Sequence, residues 1–94
     1  MHVTVRSYAS EGGLVDAVVE HESEVHELLA GIAGFRAYYM VRTGDGGAVS
    51  ISVYDDAAGA EASNAAAAGW VRDNLPDLVV SPPQTTAGEV AISF

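Results

Sequence analysis

The sequence predicts an α+β fold of order βαββαβ, with a four-stranded antiparallel sheet and two helices packed on one of its faces. Three observations carry this. Residues 2–8, 35–42 and 48–54 alternate in polarity with the period of a strand. Two longer stretches, one amphipathic and one alanine-rich, read as helices. Right-handed crossovers in this order place both helices on the same side of the sheet.

The first strand, HVTVRSY, sets Val3 and Val5 on one side and His2, Thr4, Arg6 and Tyr8 on the other. Ser10 is expected to cap the next helix, with Glu11 and Asp16 near its positive end. From Leu14 to about Ala30, Leu14, Val18, Val25 and Leu29 recur at helical spacing, while Glu20, Glu24 and Glu27 fall on the wet face. Gly31 and Gly34 end that helix. In FRAYYMVR, Phe35, Ala37, Tyr39 and Val41 oppose Arg36, Tyr38, Met40 and Arg42. TGDGG makes the turn, and AVSISVY returns with Val49, Ile51 and Val53 against Ser50, Ser52 and Tyr54, which gives a hairpin. Asp55 or Asp56 caps the second helix, which runs to about Leu75. Prolines 76, 82 and 83 punctuate an extended connection, and a last strand over about 86–94 is expected to turn Val90, Ile92 and Phe94 inward.

Ninety-four residues are enough for one domain, here 1–94. There is no cysteine, hence no disulfide or thiolate metal site. The chain contains no lysine and carries a formal net charge of −9, so phosphate backbones and anionic lipid are repelled. Nucleic acid and membrane are not expected partners. No apolar run approaches the ~20 residues that span a bilayer, and the alternating start does not resemble a signal peptide. A cytoplasmic location is the default expectation.

Three of the four basic residues, Arg6, Arg36 and Arg42, fall in strands, on the side away from the predicted Val/Ile core. That side, with His2, Thr4, Tyr8, Tyr38, Met40, Ser50, Ser52, Tyr54 and Ser93, is expected to be helix-free and to form an anion or polar-ligand surface. Such a face either stays solvated or meets an identical face across a two-fold axis. Its aromatic residues, Met40 and arginines suit an interface. A homodimer with a partly open polar cavity between two sheets is therefore expected.

The element order, the length, the hairpin FRAYYMVRTGDGGAVSISVYDD and the helix ending GWVRDNLP resemble the dimeric α+β barrel superfamily. Within it, the chain is most similar to the small antibiotic-biosynthesis-monooxygenase-like proteins. The resemblance implies a ferredoxin-like sandwich pairing sheet to sheet, with a cavity between the sheet and helices of each subunit. It also implies a small-molecule ligand and, in some members, oxygenation of aromatic compounds with no cofactor. Haem-degrading members use an Asn on the first strand, a Trp on the second helix and a His beyond it. Here Trp70 could match the Trp, but Arg6 and Ser7 replace the Asn, and His2, His21 and His26 all lie in the first third. Haem degradation is not expected, and no cofactor is.

The substrate-binding candidates are Arg6, Tyr38, Tyr54, Asn64 and Trp70. Arg6, on a central strand, either forms a salt bridge across a dimer, for example with Glu89, or recognises a carboxylate or phenolate. Trp70 is either a pocket wall or a core residue. Asn64 and Trp70, six residues apart, diverge by about 240° around the helix. His21 and His26 diverge by ~140° and cannot share a metal ion, so no metal is expected. Asp55 and Asp56 read as capping residues, and Gly44–Gly47 as a hairpin turn joining strands rather than a phosphate cradle. No His, Cys or acid pair lies on the proposed site face, which disfavours conventional acid–base or nucleophilic catalysis. The alternative to an oxygenase is a non-catalytic ligand-binding or structural homodimer.

Overall fold

The computed structural model describes residues 1–94. Its elements are β1 (His2–Tyr8), α1 (Leu14–Glu20), α2 (Glu22–Ala30), β2 (Phe35–Arg42), β3 (Ala48–Tyr54), α3 (Ala57–Asn74) and β4 (Gln84–Glu89). All strands pair antiparallel in the order β2-β3-β1-β4. This is the expected ferredoxin-like α+β sandwich, with β1 central. No helix is long and apolar enough to cross a membrane.

Several local expectations change. The first helix is two helices, broken at His21, whose backbone (φ −107, ψ 29) leaves the helical region. Ser10 does not cap α1. Gly13 is the N-cap, in the left-handed conformation that glycine alone adopts freely, and the Glu11 carboxylate accepts the Val15 N–H at 2.6 Å. Ser10 instead bonds to Ser81, which ties the long connection to the end of β1. Asp56 does cap α3, accepting from the Gly59 N–H at 2.9 Å. The last strand ends at Glu89. Val90 is half-buried, and Ile92 and Phe94 are exposed rather than turned inward.

The largest correction concerns the faces of the sheet. The helices cover the polar set, not the Val/Ile set. Thr4, Arg6, Ser50, Ser52 and Tyr54 are all buried, and both Thr4 and Arg6 reach Asn64 on α3. Val3, Val5, Val49, Ile51 and Val53 point the other way and are only half-buried, beside exposed Tyr39 and Val41. The helix-free face is thus the apolar one. The core is made largely by the helices, from Leu14, Val18, Val25, Leu29 and Trp70, with Tyr38, Met40 and Phe35 packed against it from the sheet.

A β-bulge at the start of β2 refines the assignment. Phe35 pairs with Tyr54 and Ala37 with Val53, so Arg36 is the extra residue. The parity switches there. Phe35 and Tyr38 both face the helices, although the uninterrupted alternation placed them on opposite sides. Arg36 is left exposed and pairs with Asp55. Arg42 is also exposed and pairs with Asp16 at 2.8 Å. Neither belongs to a ligand surface, and pairs this exposed are screened by water and contribute little to stability.

Candidate functional site

Arg6 is the centre of the candidate site. It is only 4% exposed, beneath α3 in the middle of the sheet. Its Nε donates to Ser50 Oγ at 2.9 Å, one terminal nitrogen to Asn64 Oδ1 at 2.5 Å, and the other to Ser52 Oγ at 3.2 Å. The register explains this cradle, because β1 pairs Arg6 with Ser50 and Thr4 with Ser52. Short serines opposite a long arginine leave room for the guanidinium to lie along the sheet. Thr4 Oγ1 also donates to Asn64 Oδ1, at 3.1 Å, so one amide oxygen fixes both β1 side chains.

All three acceptors are neutral. The ion pairs of the protein are Arg36–Asp55, Arg42–Asp16 and Arg72–Asp73, and none involves Arg6. Neither Glu89 nor any other carboxylate compensates it within the chain. A guanidinium has five N–H donors, and three bonds leave two over. A buried charge without a partner costs several kcal/mol. Arg6 is therefore a buried cation with no anionic partner in its own chain, in a protein of net charge −9.

Arg6 opens onto an inner cavity of about 30 Å³ whose walls include Tyr8, Leu14, Tyr38, Met40, Ala67 and Trp70. Burial holds the Tyr8 and Tyr38 phenols above their ordinary pKa of 10.0, and the Arg6 charge offsets this only in part. Both remain O–H donors at neutral pH. Trp70 is buried in the core and edge-on to His21, with ring centroids 5.5 Å apart. Its Nε1–H is buried with no hydrogen-bond partner, and such an orphaned donor costs about 1–3 kcal/mol. The cavity thus sets one cation and two tyrosines among largely apolar walls, an environment suited to a single oxyanion.

Beside this cavity, an outer groove of about 510 Å³ lies between α1, α2 and β2, with Glu22, Ser23 and His26 at its rim. Of the sequence candidates, Arg6, Tyr38 and Trp70 line the inner cavity together. Asn64 stands behind Arg6 and holds it, so the angular divergence of Asn64 and Trp70 separates an anchor from a wall. Tyr54 does not reach the cavity. It is fully buried, and its hydroxyl donates to the Leu29 carbonyl at 2.7 Å, locking α2 to β3. Tyr8, Ser50 and Met40 also line the cavity; the sequence reading set them on the same strand side as Arg6, though on a face expected to be helix-free, and did not select them. Their shared parity with Arg6 and Tyr38 was the available signal.

The inner cavity offers haem iron no histidine in its wall, and His26 lies at the rim of the outer groove.

No known family's sequence model matches the chain, and no curated protein matches it. Solved structures do. A monooxygenase from the gene ActVA-Orf6 of Streptomyces coelicolor, in complex with nanaomycin D, superposes with a TM-score of 0.71 at 17% identity, over 99% of this chain and 89% of that one. The heme-degrader MhuD of Mycobacterium tuberculosis, with two hemes bound, gives 0.72 at 12%, over 100% and 99%. A dimeric ferredoxin-like protein from an uncultured marine organism gives 0.70 at 10%, over 99% and 95%. The chain therefore shares a ferredoxin-like α+β fold with these proteins.

Proposed function

We propose that this protein binds a small aromatic anion, a phenolate or enolate, in the cavity at Arg6 and promotes its oxygenation without a cofactor. The observation that carries the reading is the buried guanidinium with only neutral partners. An anionic oxygen completes its hydrogen bonding and compensates its charge. The Tyr8 and Tyr38 side chains line the same cavity, and their hydroxyls offer further donors to the ligand.

The cavity wall holds no His, Cys, Asp or Glu to act as base or nucleophile. Reactivity is then the ligand's own. Its CH₂ loses a proton to solvent to give the carbanion, which passes one electron to O₂; the radical pair joins as a peroxide anion, a proton from solvent makes it the hydroperoxide, and loss of water leaves a carbonyl, so that CH₂ + O₂ becomes C=O + H₂O. The protein contributes charge stabilisation and exclusion of bulk water. The same wall composition favours non-catalytic binding as the second reading.

The working unit we propose is a homodimer. The occupant of the apolar face made by Val3, Val5, Val49, Ile51 and Val53 is a second copy of the same face. The sheet-to-sheet pairing inferred from the sequence remains, but through the opposite face.

Oxygen uptake with anthrone and hydroquinone substrates, compared between the wild type and Arg6→Met, tests the enzyme reading. Turnover lost in the variant supports it. Tight binding of the phenolates without oxygen uptake leaves the binding reading alone.

A further inference from the structure

The inner cavity and the outer groove meet along five side chains, since Val18, Val25, Leu29, Tyr38 and Met40 line both. The inner space of about 30 Å³ accommodates a water or two. The outer groove, at about 510 Å³, is in the range of organic-ligand sites. An aromatic ligand that lies in the groove and reaches Arg6 must therefore displace part of the shared wall.

The five are not equally free to move. Val18, Val25 and Leu29 are buried members of the helical core, and the β-branched valines are stiff at χ1. Tyr38 is a rigid ring in the wall that Arg6 and Ser50 also line. Met40 is half-buried on the edge strand β2 and carries an unbranched, rotatable thioether. The register adds a positional argument. Ser50 pairs with Met40 on one side and Arg6 on the other. The row Met40–Ser50–Arg6 runs from the groove to the guanidinium with only a hydroxymethyl group between the two long side chains.

We propose that Met40 is the gate between the groove and the Arg6 chamber, and the residue that sets how wide a ring system can enter. This rests on the reading of Arg6 as an anion site. A one-ring anion passes with a rotamer change of Met40, whereas a fused multi-ring anion requires its displacement throughout binding.

The test is stopped-flow absorbance with 4-nitrophenolate and the alizarin anion, one ring against three fused rings. It compares the wild-type protein with Met40→Ala and Met40→Phe, each checked for an unchanged far-UV spectrum and melting curve. Met40→Ala is expected to raise the alizarin association rate about tenfold and leave that of 4-nitrophenolate within about twofold, and Met40→Phe to slow alizarin about tenfold. Met40→Phe keeps the site apolar and filled, so it tests the gate even if Met40→Ala relaxes the strand. Equal changes for both anions, or none, overturn the gate while leaving the anion site in place. Failure of the wild type to bind either anion overturns the anion site and the gate with it.

Discussion

Replacing Arg6 by methionine removes the charge and keeps most of the side-chain volume. Two effects oppose each other in the ligand-free protein. Three charge-assisted hydrogen bonds are lost, each worth about 1.5–3 kcal/mol. Relief of an uncompensated buried cation returns several kcal/mol, and apolar replacement of buried charges is often neutral or stabilising. The expected net change is within about 2 kcal/mol of zero, which for a chain of this size is a Tm shift of no more than about 8–16 °C in either direction. Ligand binding is not balanced in this way. Removing one partner of a buried charge pair costs about 2–5 kcal/mol, a loss of roughly 30-fold to several-thousand-fold in affinity. The assay is differential scanning fluorimetry with increasing 4-nitrophenolate. At about 100 times its Kd the wild type gains about 2.7 kcal/mol, and the variant gains no more than about 0.9 kcal/mol at the same concentration. The reasoning is refuted if Arg6→Met melts far below the wild type yet shows the same ligand-induced shift. Arg6 would then be a structural residue and the anion would bind elsewhere.

Three further outcomes follow from the same geometry. Trp70→Phe keeps a ring in the core and removes a buried N–H that has no partner, so the ligand-free Tm should hold within a few degrees by differential scanning fluorimetry, and a larger fall contradicts the account of Nε1–H as unpaired. Asp56→Ala removes the N-cap of α3, and chemical denaturation should show a loss of about 1 kcal/mol with phenolate affinity unchanged. Burial raises the pKa of Tyr8, Tyr38 and Tyr54 above 10.0, so the folded protein retains protons that the unfolded chain releases. Stability from this source is complete below the unfolded pKa of about 10 and is lost as pH rises through the higher folded values. Melting curves taken across that range should fall on the alkaline side, and a Tm that rises there contradicts the assignment.

The element order, the hairpin, the Asp56 cap and the central place of β1 were legible because periodicity and turn residues are local signals. The assignment of faces was not. Alternation in HVTVRSY and AVSISVY separates Val3, Val5, Val49, Ile51 and Val53 from Thr4, Arg6, Ser50 and Ser52, but it does not say which set the helices cover. The expectation that helices sit on the apolar set holds when a sheet has one buried side. Here the polar set satisfies itself through Arg6, the serines and Asn64, which lets it be buried. Asn64 lies on a helix 58 positions from Arg6, and no local pattern announces that contact. The bulge at Arg36 was hidden for a related reason. One extra residue in a strand leaves the polarity string intact while inverting what it means for Phe35. The break at His21 was masked by an apolar stripe that continues on both sides of it.

The most direct measurement is the ¹H–¹⁵N resonance of the Arg6 Nε–H group, assigned by its disappearance in Arg6→Met. It would be followed during titration with 4-nitrophenolate and, separately, with uncharged 4-nitroanisole. A saturable shift with the phenolate and little or none with the ether is the expected result, because the anion is what the buried guanidinium lacks. A resonance that ignores both compounds, or answers both alike, would contradict it.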